Sequence, residues 1–86
     1  MSPTTTSADP VLTAGRFDRI TFEPGKMGGR ACIRGLRITV GLVLSLLADG
    51  ATSEAILADY TDLEAEDIRQ ALGYAASLAR EQVLSA

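Results

Sequence analysis

Arg16, Arg19, Lys26, Arg30, Arg34 and Arg37 all lie between residues 15 and 37, opposed there only by Asp18 and Glu23, a local balance of +4. Guanidinium groups at that density suit phosphates and carboxylates, which they grip through paired hydrogen bonds. Other reactive chemistry is scarce. With no His there is no His-based triad or general base, and the single Cys32 cannot build a Cys/His zinc site or a disulfide framework. Cys32 sits in the apolar run Ala31-Cys32-Ile33 and reads as a small buried hydrophobe. Gly25-Lys26 is no phosphate-binding loop, because Ile20 stands where that loop needs its first glycine and Met27 where it needs Ser or Thr. The acids from Asp59 to Asp67 lack the ligand pattern, central glycine and closing glutamate of a calcium loop, and read as a solvated face. A non-enzyme without cofactor or metal is expected.

The elements that must position these arginines come from a short chain. Its 86 residues, 47% of them hydrophobic, suit one small domain with a marginal core. The overall charge of −3 hides the basic segment, because residues 38–86 set Arg69 and Arg80 against eight acids. Such asymmetry fits a polyanion-binding arm or electrostatic pairing, internal or with a partner; arginines can also simply keep a sheet edge soluble. A lone Cys fits a cytoplasmic setting. Residues 1–14 read as a disordered Ser/Thr/Pro-rich tail rather than a signal peptide, and 15–86 as a single domain. The longest apolar stretch, Val40 to Ala48, is too short to span a bilayer.

Within residues 15–38 the spacing predicts a short strand at Ile20-Thr21-Phe22, a turn at Pro24-Gly25 and β-compatible runs at Ala31-Cys32-Ile33 and Leu36-Arg37-Ile38. These pieces are too short for a sheet of their own and must pack on helices or pair with a second copy of the chain. Residues 39–86 predict three helices. Thr39 caps the first, whose stripe is Val40, Val43, Leu44 and Leu47, with Asp49-Gly50 as its stop. Leu42 and Leu46 lie off that stripe, so either a tiny core wraps around this helix or it meets a dimer or partner. Thr52 or Ser53 caps the second, which buries Ile56, Leu57 and Tyr60. The third starts near Glu64, with Leu63 and Ile68 at the spacing of a hydrophobic staple, and its stripe runs Ile68, Ala71, Leu72, Ala75, Leu78, Ala79 and Val83.

Three short helices with a tight second connection give a helix-turn-helix-like core, whose third helix would enter a DNA major groove. Its start carries Glu64, Glu66 and Asp67, which phosphates repel, with only Arg69 and Gln70 as conventional base readers. Arg30, Arg34 and Arg37 are the better candidates for contact with DNA or a protein partner, with Lys26 as an accessory. Ile20, Phe22 and Ile33 are candidates for homodimerisation through the β segment, and Leu42 and Leu46 for a dimer or partner contact. Leu78, Val83 and Leu84, beyond what a small bundle needs, form a candidate docking element.

The run from Ile20 to Gly25, then Gly28-Gly29-Arg30-Ala31-Cys32-Ile33-Arg34-Gly35-Leu36-Arg37-Ile38-Thr39-Val40, resembles a bacterial family first catalogued as domain of unknown function four-three-three and described as VapB-type antitoxin-like. Glu54 to Tyr60, Asp62-Leu63, Glu66-Asp67-Ile68 and Ala71-Leu72 extend the likeness over about residues 19–76. Ala31, Leu36 and Glu64 depart from the family's usual Pro, Thr and Thr. The resemblance implies a mainly α, homeodomain-like three-helix bundle preceded by a short β segment. It also implies a PIN-like ribonuclease toxin as partner, restrained by the antitoxin. The arginines would then enter the acidic metal site of the toxin or contact operator DNA. The alternatives are a stand-alone helix-turn-helix autorepressor and a non-catalytic interaction module.

Overall fold

The computed structural model describes residues 12–85, with side chains through Arg80. A hairpin opens the described chain. Strand β1 (Leu12–Ala14) pairs antiparallel with β2 (Phe17–Phe22), Leu12 opposite Phe22 and Thr13 opposite Thr21, before a bulge brings Ala14 opposite Phe17. Three residues expected in the tail are therefore part of the sheet; residues 1–11 lie outside the described ones.

The Pro24-Gly25 turn closes with the Lys26 N–H donating to the Glu23 carbonyl at 3.0 Å. A single 3-10 turn at Met27–Gly29 then leads to β3 (Cys32–Ile33), antiparallel to β2 with Ile20 opposite Ile33. The sheet order is β1-β2-β3. Leu36 to Ile38 adds no strand; instead Thr39 makes an isolated bridge with Cys32.

Helices α1 (Val40–Ala48), α2 (Ser53–Asp59) and α3 (Ala65–Ser85) follow. Thr39 Oγ1 accepts the Leu42 N–H at 3.0 Å and Thr52 Oγ1 accepts the Ala55 N–H at 3.1 Å, so both expected hydroxyl caps form. At the end of α1, Gly50 adopts φ +100° and donates to Leu47, while Ala51 donates to Leu46. That paired closure needs the left-handed backbone a glycine supplies.

The core joins both halves of the chain. Ile20 and Ile33 from the sheet are fully buried beside Val40 and Val43 of α1, Ile56 of α2, Leu63, and Ile68 and Ala71 of α3. This is a small α/β fold, and it corrects the expected homeodomain-like, helix-turn-helix-like three-helix bundle. The physical reason is that α3 packs chiefly on β2, so sheet side chains fill the space a bundle would give to a helix. Ile20 and Ile33, expected at a dimer interface, are spent inside their own subunit's core, and Phe22 is half-buried against Tyr74 with ring centroids 6.2 Å apart.

The α3 stripe is buried over its first turns only. Ile68 and Ala71 are covered, whereas Leu72 is exposed on the flank of the same turn, and Leu78 and Ala79 are exposed further along, where a 21-residue helix outruns a sheet whose longest strand has six residues. Leu42 and Leu46 are half-buried, Leu46 against the core. Val83 and Leu84 lie outside the described side chains. No described helix is long and apolar enough to cross a membrane.

Candidate functional site

Asp67 organises the basic segment. It stands in the first turn of α3, fully buried, and its Oδ2 accepts the backbone N–H of Glu64 at 2.8 Å while its own N–H donates to the Glu64 carbonyl at 2.9 Å. That is half of a capping box, with an aspartate in the distal place holding the Glu64 N–H, and it explains how a helix preceded by the poor cap Glu64 begins there. Leu63 and Ile68, both buried, form the expected staple around it.

Two arginines complete the shell of Asp67. Arg34 donates from Nε to Oδ1 at 3.0 Å and from Nη2 to Oδ2 at 3.0 Å, and Arg19 donates from Nη1 to Oδ1 at 3.0 Å. The two guanidiniums arrive from different elements. Arg19 lies on β2, and its Nη1 also donates to Glu64 Oε1 at 2.7 Å. Arg34 follows β3 in a left-handed conformation, φ 46°, fixed by its N–H donating to the Arg19 carbonyl at 2.7 Å and by Gly35 donating to Thr21 Oγ1 at 2.8 Å. Its Nη2 also reaches the Asp62 carbonyl, tying the α2–α3 connection to the sheet.

Burial alone would raise the Asp67 pKa, but hydrogen bonds from Arg34, the Glu64 N–H and Arg19 outweigh it and hold the carboxyl below its ordinary value. The Arg19 guanidinium is pushed up by its hydrogen bonds to Glu64 and Asp67, and that of Arg34 by its hydrogen bond to Asp67. The expectation of a solvated acidic face therefore fails at Asp67. The spacing of an acid near a helix start gives no hint of partners 33 and 48 residues away.

The other expected contact residues are dispersed rather than assembled. Arg34 is engaged with Asp67, and Lys26 is drawn inward, donating from Nζ to the Gly35 carbonyl and pairing with Glu23 at 3.3 Å. Gln70 ties α3 to β2, accepting the Arg19 N–H at 3.0 Å and donating to Asp18 at 3.1 Å, while Arg69 pairs with Glu66 one turn back. Of the expected contact residues, only Arg30 and Arg37 stay exposed with no ion pair among the described residues. Burial pushes the Cys32 thiol up, so the sulfur is poorly suited to nucleophilic work.

Two open concavities border these elements. One, of about 510 Å³, is lined by Arg30 and Ala31, by Thr39 to Leu42 and Ser45 at and along α1, and by Tyr74 of α3. The second, of about 440 Å³, is lined by Arg16 and Phe17 from the hairpin and by Arg69, Gln70, Gly73, Ala76 and Arg80 from α3. Arg16 and Arg80 enter the charge balance of the sequence but not its expected contact residues; the recurrence Arg69, Gly73, Ala76, Arg80 on one helical face was the available signal, and nothing local places Arg16 beside it.

A family model described as "Protein of unknown function (DUF433)" matches residues 20–75, from β2 into the middle of α3. The chain belongs to the DUF433 family. It is similar to a crystal structure of a DUF433 member protein from Anabaena variabilis ATCC 29413, with 35% identity and a TM-score of 0.68, covering 73% of this chain and 62% of that one. This DUF433 chain thus spans less than two thirds of that relative's length. No curated protein matches it. The matched residues include Arg34 and Asp67, so the region of likeness contains that ion pair and ends at the middle of α3, with Arg19 just outside it.

Proposed function

We propose that this DUF433 chain is the antitoxin of a type II toxin–antitoxin pair, a non-enzymatic cytoplasmic protein that binds and neutralises a PIN-like ribonuclease. The ribonuclease class rests on the antitoxin-like resemblance of residues 19–76. The binding role rests on one observation: Leu78 continues the Ala71 side of α3 two turns further and is exposed, so the helix carries an apolar face past the end of its own core. A partner that covers this face would make use of a helix longer than the domain needs.

Operator DNA has weaker support. The start of α3 is covered by Arg19 and Arg34, and Arg69 is held by Glu66, which leaves little there to read a base edge. The test is to purify the product of the adjacent reading frame and measure its RNA cleavage with and without this protein, as wild type and as Leu78→Asp. Inhibition by the wild type, weakened at least about tenfold by the charged substitution, is the expected result. No complex with that product, or equal inhibition by both forms, would sink the reading.

A further inference from the structure

Arg16, Arg69 and Arg80 converge on the concavity of about 440 Å³ that lies outside the Asp67 hub. On α3, Arg69, Gly73, Ala76 and Arg80 recur at i, i+4, i+7 and i+11, one side of the helix and roughly opposite Ala71 and Leu78. Gly73 and Ala76 leave a floor without long side chains between two arginines. Phe17 forms a wall, its ring edge close enough to Gly73 that a Cβ there would lie 2.9 Å from Cε1. Arg16 enters from the β1–β2 turn, its guanidinium carbon 5.1 Å from the Phe17 ring centroid. Arg16 and Arg80 have no ion pair among the described residues, whereas Arg69 is held by Glu66.

We propose that this groove docks an acidic segment of a partner protein, whose carboxylates pair with Arg16 and Arg80. Charge selects the occupant. Guanidiniums at an exposed groove, without an ion pair among the described residues, favour carboxylate or phosphate. The neighbouring end of the groove, however, carries Glu66 on Arg69 and Asp18 on Gln70, and these carboxylates repel the evenly spaced phosphates of a nucleic-acid strand. A polypeptide can set its carboxylates over Arg16 and Arg80 and lay neutral side chains against Phe17 and the bare floor. The groove faces away from Leu78, so this inference holds whether or not the partner is a ribonuclease.

The test titrates the full, isotope-labelled chain with a short synthetic peptide of alternating Glu and Ala, and separately with a short thymidine strand, following amide resonances by NMR. The peptide is expected to shift Arg16, Phe17, Gly73 and Arg80. Affinity should fall at least about tenfold in the Arg16→Ala/Arg80→Ala variant, whose spectrum otherwise stays that of the folded protein because both side chains are exposed. Absence of peptide shifts at these residues, equal affinity in the double variant, or tighter binding of the thymidine strand at the same residues would each overturn the proposal. None of these results depends on ribonuclease inhibition, which reads the Leu78 face instead.

Discussion

Arg34 and Asp67, 33 residues apart in sequence, meet through two parallel hydrogen bonds of 3.0 Å, Nε to Oδ1 and Nη2 to Oδ2. The carboxylate is fully buried, and the guanidinium is about a third exposed. Asp67 thus does for this fold what a hydrophobic staple alone could not: it starts α3 and fastens that start to the sheet.

Replacing Asp67 with Ala removes the acceptor for Arg34, Arg19 and the Glu64 N–H together, and should cost on the order of 3 kcal/mol. Arg34→Ala should cost less, on the order of 2 kcal/mol, because the lost guanidinium was partly solvated and Arg19 remains on the carboxylate. Arg34→Lys should recover little of that loss, since an ammonium cannot reproduce the two parallel bonds. Urea unfolding of the three variants beside the wild type checks the order; equal stability of Asp67→Ala and wild type would contradict the hub.

Acid should weaken the same contact. The folded Asp67 pKa lies below its ordinary value of 3.8, so its contribution is complete above that pH and is lost as pH falls through the lower, folded value. The stability gap between wild type and Asp67→Asn should therefore be constant from neutral pH to about pH 5 and narrow below about pH 4. A gap that widened on acidification would show the opposite linkage sign.

Gly73 and Phe17 set two effects against each other. Alanine is worth about 1 kcal/mol over glycine in a helix interior, but a Cβ here meets the Phe17 ring, and crowding in a packed contact costs roughly 1–3 kcal/mol. Gly73→Ala should lower stability in the wild type and raise it by about 1 kcal/mol in a Phe17→Ala background. Thermal melts of the four proteins in the cycle read the change of sign directly.

Leu72 and Leu78 are 48% and 43% exposed, so polar replacements there should move stability by no more than about 0.5 kcal/mol. Partner binding should respond to Leu78→Asp with no matching shift in the melting curve. A large loss of stability would mean that Leu78 is covered within its own chain.

Much of the helical half was legible because its signals are local. Thr39 and Thr52 cap, Gly50 stops α1, and Leu63 with Ile68 brackets the start of α3, all within a few residues of the feature they specify. The sheet was harder to read. Leu12-Thr13-Ala14 borders a Ser/Thr/Pro-rich stretch and gains its strand character from pairing with β2 rather than from its own pattern. The site was hardest, because the roles of Arg34 and Asp67 exist only as a pair brought together by the fold. An acid beside a helix start and an arginine after a strand both look solvent-facing until the fold makes them neighbours, which is why Arg34 read as a contact residue and Asp67 as part of a charged surface.

The double duty of Asp67 bears on how the chain acquires its structure. Among the described residues, the carboxylate that caps the start of the longest helix is neutralised only by residues of β2 and of the turn after β3. In a fragment carrying residues 39–86 that carboxylate would have to be buried without a counter-charge or stay hydrated, and neither option favours the folded form. Helical and sheet halves should accordingly unfold together, as one cooperative unit with no separable helical subdomain.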